Sequence, residues 1–209
     1  MSLESAANPD DQKQRGQRRR LLDDPVSIRA LAHPLRLELQ SIVGRSGKIT
    51  AADAARELGI SHALASHHLR QLAKYGFVEQ VEGADARERP WRVVHTSYSA
   101  EGIEERAGGA AALAVLEQVT AERAVEDLID WHERRGDWSE SWRRHTGVGR
   151  TMVYLTEQEL IELTEAMDAL LSDYIEQRPL DDIGSRPEGS VPVEFTLMVV
   201  PQKTSAEGN

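Results

Sequence analysis

The stretch Ile60-Ser-His-Ala-Leu-Ala-Ser-His-His-Leu-Arg-Gln-Leu-Ala-Lys-Tyr-Gly-Phe-Val78 decides the fold. Its apolar residues Leu64, Ala65, Leu69 and Leu72 recur at helical spacing and predict one inward-facing stripe. Ser61 stands where an N-cap belongs, and Gly76 stands where such a helix should stop. The opposite side carries Ser61, His62, Ser66, His67 and Arg70, so one face is anchored and the other stays polar. His68 is expected to turn inward and to hydrogen-bond within the domain. Upstream, Thr50 is placed to cap a helix that runs through Leu58, and Gly59 permits a left-handed turn between the two helices. Downstream, Phe77 to Glu82 and Trp91 to Thr96 read as two strands joined by the loop 83–90, a β-hairpin.

Working outward, Ile28, Leu31, Ala32, Leu35, Leu37, Leu39, Ile42 and Val43 repeat at helical spacing, broken at Pro34, which has no amide donor. Two helices meeting at His33 and Pro34 are expected, followed by a short strand at Lys48 and Ile49. Residues 1–20 lack a periodic apolar face and predict a disordered basic tail. Residues 102–135 read as one long, alanine-rich helix. A strand at 149–155, a helix at 157–177 opened by a Thr156/Glu159 capping box, and a strand at 191–200 follow. The expected fold is therefore mainly α with small β. A winged helix-turn-helix (21–100) leads to a C-terminal half (101–209) made of a long dimerisation helix and a small α+β extension.

Ser66, His68, Leu69, Leu72, Gly76, Phe77 and Val78, with Ala32-His-Pro-Leu-Arg36 upstream, resemble the ArsR-type winged helix-turn-helix regulators. The resemblance covers residues 25–96, about a third of the chain. It implies a DNA-binding regulator, usually a dimer on inverted half-sites and often a repressor released by a signal. Many such regulators sense metals through cysteine pairs. This chain has no cysteine, which removes that sensor and every disulfide. His132, Glu133, Asp137 and His145 lack a tight ligand spacing, so neither a metal nor another cofactor is expected. Trp131, Trp138, Trp142 and Tyr154 are candidates for an apolar effector pocket, with ordinary aromatic packing as the plainer alternative.

The physical reading agrees with the resemblance. A helix with a free polar face fits the roughly 12 Å major groove, where Ser61, His62, Ser66, His67 and Arg70 can reach bases or phosphates. Thr50 and Lys74 are placed for backbone contacts, and Arg87, Arg89 and Arg92 sit on the wing. The net charge of −10 runs against such a partner until it is divided along the chain. Residues 25–96 hold 10 basic and 7 acidic side chains, whereas residues 97–209 hold 10 and 23. A basic head on an acidic body results.

Double-stranded DNA and a second copy of the chain are the expected partners, with a small-molecule effector as a candidate third. No segment is apolar enough to span a membrane, and a cytoplasmic location is expected. A phosphate-binding glycine loop and a Gly-x-Ser-x-Gly nucleophile are both missing, so enzymatic activity is not expected. The alternative is a winged helix used for protein contacts, which would carry a hydrophobic or acidic reading face.

Overall fold

The structure is a computed structural model and describes residues 19–82, 89–95 and 97–203. Its elements run β1 (Arg19–Leu21), α1 (Pro25–Leu31), α2 (Pro34–Ser46), α3 (Ala51–Glu57), α4 (His62–Lys74), β2 (Val78–Gln80) and β3 (Trp91–Val93). β4 (Ser97–Ser99), α5 (Gly109–Arg134), α6 (Glu140–His145) and α7 (Glu157–Gln177) follow. This is a mainly α protein with little β structure: a winged helix-turn-helix followed by a long helix and a C-terminal extension.

Each helix of the head starts where local chemistry dictates. The Asp24 carboxylate accepts from the amides of Val26 and Ser27, and Pro25 fills a first-turn position that needs no donor. Pro34 does the same for α2, with His33 Nδ1 accepting from Leu35 N at 3.1 Å. Thr50 and Ser61 cap α3 and α4 through their hydroxyls. Between those two helices Gly59 takes φ +64°, a conformation that a side chain would strain. The core is continuous from Leu22 to Ala112, with Ile28, Leu39, Ile42, Leu69, Leu72, Phe77 and Ile103 fully buried at its centre.

The wing is an antiparallel pair with Val78 opposite Val93, Glu79 opposite Arg92 and Gln80 opposite Trp91. A single bridge from Ile49 to Trp91 joins it to the segment before α3. The expected strand at Lys48 and Ile49 is thus one bridge long. A second sheet pairs β1 with β4 in parallel, and it was not expected. It draws the end of the supposed tail into the fold: Arg20 donates to the Tyr75 carbonyl, and its guanidinium lies 4.8 Å from the centre of the Phe77 ring. Residues 1–18, the rest of that expected tail, lie outside the described residues, as do 204–209.

Three expectations change in detail. The long helix begins at Gly109 rather than 102, because Gly102 and Gly108 take φ of +70° and +75° and interrupt the helical path. Leu64 is 40% exposed, since the buried positions of α4 are Ala65, His68, Leu69 and Leu72, and Leu64 lies at the rim of that stripe. Residues 149–155 and 191–200 form no strand in the single chain. A strand needs a partner for its backbone donors and acceptors, and neither stretch meets one among the described residues.

α5 packs along α1 and α2. Arg123, its side chain only 12% exposed, ties it to the head by reaching Glu38 at 3.3 Å, and it also meets Asp127 of its own helix at 3.5 Å. Trp131, Trp138 and Trp142 pack in series, tilted and edge-to-face, with ring centres 5.6 and 5.4 Å apart, whereas Tyr154 is 94% exposed. None of the described helices is long and apolar enough to cross a membrane.

Candidate nucleic-acid interface

The buried stripe of α4 fixes the rest of that helix toward solvent. Ser61, His62, His67, Arg70 and Lys74 are exposed, and Ser66 is half-buried. Arg70 Nη1 donates to Ser66 Oγ at 2.7 Å, one helical turn back, which holds the guanidinium along the helix rather than free in solution. An open cleft of about 370 Å³ lies between α3, α4 and the wing. Thr50, His62, Ser66, Arg70 and Arg89 all line it, so five expected contact residues from separate parts of the head converge on one surface. Trp91, buried in the wing, forms part of the same wall.

The remaining expected residues lie elsewhere. His67 sits edge-on against His68 at 5.2 Å, and Lys74 Nζ rests 5.3 Å over the Tyr75 ring. Arg87 lies outside the described residues. Arg92 is committed within the protein, bonded to Glu79 at 2.7 Å and to Asp181 at 2.9 Å. Those two carboxylates, Glu79 foremost, raise its pKa and hold it charged but occupied. Gln80 was missed in the sequence and lines the cleft. The available signal was its place opposite Trp91, as a polar residue on a strand that directly follows α4.

Two capping residues have divided duties. Thr50 Oγ1 accepts from the Asp53 amide at 3.1 Å and donates to the Asp53 carboxylate at 2.7 Å. That hydroxyl, with Arg56 at 2.7 Å, holds Asp53 below the usual carboxylate range. Ser61 Oγ accepts from Leu64 N at 3.2 Å. Both residues therefore orient a helix start, and their hydroxyls are only partly free for a ligand.

Beneath the polar face of α4 lies an imidazole pair. His68 is 8% exposed, its ring 4.8 Å from that of His33. Its inward turn is as expected, but its Nδ1 is buried with no hydrogen-bond partner among the described residues. Burial, then the neighbouring His33, Arg36 and His67, lowers its pKa, and burial followed by Arg36 lowers that of His33. Both shifts favour the neutral ring and so disfavour charge in the seam between α2 and α4.

Among known families, one described as "Helix-turn-helix domain" matches residues 31–81. No curated protein matches the chain. Among solved structures, a point mutant of Lactococcus lactis ZitR is 15% identical, over 66% of this chain and 73% of that one, with a TM-score of 0.28. Wild-type apo MarR from E. coli is 15% identical, over 80% of this chain and 98% of that one, with a TM-score of 0.29. Superpositions this loose assign no function. The matched segment spans α2, α3, α4 and the start of the wing, and with the geometry above it defines a winged helix-turn-helix, the architecture of DNA-binding regulators.

Proposed function

We propose that this protein is a sequence-specific, double-stranded-DNA-binding transcriptional regulator, with α4 laid in the major groove and Arg89 on the flanking backbone or minor groove. The convergence of Thr50, His62, Ser66, Arg70 and Arg89 on one cleft carries this reading. Arg70 is the strongest contact, because a guanidinium can pair bidentately with guanine or with phosphate. Lys74 and His67 extend the footprint along the groove. The polar reading face does not suit a winged helix devoted to protein contacts.

In finer terms we read the chain as an ArsR-like, non-enzymatic, cytoplasmic repressor that acts as a homodimer on inverted half-sites and is released by a signal received in the C-terminal half. The Ser66 to Val78 motif supports the ArsR-like kind; Trp131, Trp138 and Trp142 pack against one another, so the effector is carried by the resemblance alone. Gel-shift titration with DNA from upstream of its own gene tests the reading. A discrete complex that random DNA does not compete away supports it, and competition by random DNA at equal concentration contradicts it.

A further inference from the structure

The C-terminal extension is unfinished in a single chain. α7 runs for 21 residues from a complete capping box, yet buries none of them. A helix with so much apolar surface draws its stability from packing, which the described residues of the chain do not supply. Leu163, Leu170 and Tyr174 on α7 stand exposed, as do Val193, Phe195, Leu197 and Val199 beyond it. Among the described residues, no backbone–backbone hydrogen bond involves residues 191–200. Ser41 Oγ reaches Glu194 only at 3.5 Å.

The sequence Val191-Pro-Val-Glu-Phe-Thr-Leu-Met-Val199 has a two-fold chemical symmetry about Phe195. Two positions away on either side stand Val193 and Leu197, and four away stand Val191 and Val199. One position away stand Glu194 and Thr196. An antiparallel pair centred on Phe195 therefore brings Phe195 against Phe195, Val193 against Leu197 and Val191 against Val199, all on one face. It sets Glu194 against Thr196 and so avoids facing two carboxylates. Pro192, which has no amide donor, falls near the strand's start, where its loss is tolerated.

We propose that residues 191–200 pair with the same residues of a second copy across a two-fold axis, in the register centred on Phe195, and that α7 covers the apolar face of this ribbon. This rests on the homodimer reading above and assigns it a surface other than α5. Charge favours strands over helices as the joining element. α7 holds seven acidic and no basic residues, so two such helices side by side would repel. Arg143 and Arg150 of the same chain offer a partner's α7 the opposite charge, whereas Arg144 is paired with Glu140 at 2.6 Å.

The absence of cysteine makes the test clean, because the natural chain cannot cross-link. Directly opposed residues of an antiparallel pair lie about 4.5–5.5 Å apart at Cα, within disulfide reach. In the full-length protein under mild oxidation, Phe195→Cys should become mostly covalent dimer. Val193→Cys and Leu197→Cys alone should cross-link at least tenfold more slowly, since each sits about 13 Å from its own copy in this register. The double variant Val193→Cys/Leu197→Cys should cross-link like Phe195→Cys, which guards against poor folding of the Phe195 variant. Equal cross-linking at all three single positions, or none in the Phe195 and double variants, overturns the proposal. A dimeric mass by light scattering without these cross-links overturns the ribbon and leaves dimerisation to α5. A monomeric mass overturns both, and the gel-shift result stands apart from either.

Discussion

Arg92 on the wing donates to Asp181, 89 positions further along the chain, at 2.9 Å, while its other contact is Glu79 across the hairpin. The loop that carries Asp181 also sends Arg186 to the Arg45 carbonyl at 2.9 Å. The C-terminal extension is thereby fastened to the wing and to the end of α2. Arg92 differs in this from Arg70, which is tied to a neighbouring serine on the same helix.

That difference predicts unequal effects on DNA affinity. Arg70→Ala should weaken binding at least tenfold, about 1.4 kcal/mol, because a bidentate contact is lost. Arg92→Ala should change it less than threefold. Asp181→Asn should alter thermal stability only slightly, since an exposed ion pair contributes about 0–1 kcal/mol. Fluorescence anisotropy on one DNA duplex, with a melting curve for each variant, checks all three.

Helix starts and reading face can be separated. Thr50→Ala removes the α3 cap and should cost about 1 kcal/mol of unfolding free energy, with Ser61→Ala costing a similar amount at α4. Ser66→Ala removes no cap and should leave the denaturation midpoint unchanged while loosening Arg70 and lowering DNA affinity. Urea titration paired with binding isotherms distinguishes the two kinds of residue.

Within α4 the core is uneven. Leu72→Ala should destabilise by about 2–5 kcal/mol, the usual cost of emptying a sealed site, whereas Leu64→Ala should cost much less. Equal losses at the two positions would contradict the burial described for this helix.

The helix-turn-helix was legible because caps, glycines and apolar spacing all agree over a short span. Thr50, Ser61 and Gly59 each stand where the fold needs them. Leu64 was misplaced because hydrophobicity alone does not resolve a stripe's edge; His68, one turn on, takes the inward place instead. Thr50, His62, Ser66, Arg70 and Arg89 in the cleft were readable from the sequence, but not Gln80 beside them, nor the diversion of Arg92, which depends on a carboxylate far along the chain. The strands at 149–155 and 191–200 were read from β-branched and aromatic content. Composition reports an affinity for pairing, and no pairing partner is found among the described residues.

Three histidines predict a pH dependence. His33, His68 and His95 all have pKa values lowered from 6.5, burial being the first cause in each. Well above pH 6.5 they are neutral whether the chain is folded or unfolded, and they add no slope. Below it the unfolded chain binds protons that the folded one resists, so stability falls as pH falls, until the lowered folded values are passed. Thermal midpoints should therefore drop between about pH 7.5 and about pH 5.5, and His68→Gln should make that drop shallower.

In the proposed function α4 and the wing read DNA as one surface. Its most direct test is the binding isotherm of the full-length protein on a duplex from its own upstream region, measured at several salt concentrations beside Arg70→Ala. A discrete complex is expected, with an affinity that exceeds that for random duplex by roughly a thousandfold or more. That affinity should fall steeply with salt and at least tenfold on losing Arg70. Equal affinity for random and upstream DNA, or an Arg70→Ala variant that binds as well as the natural chain, would contradict it.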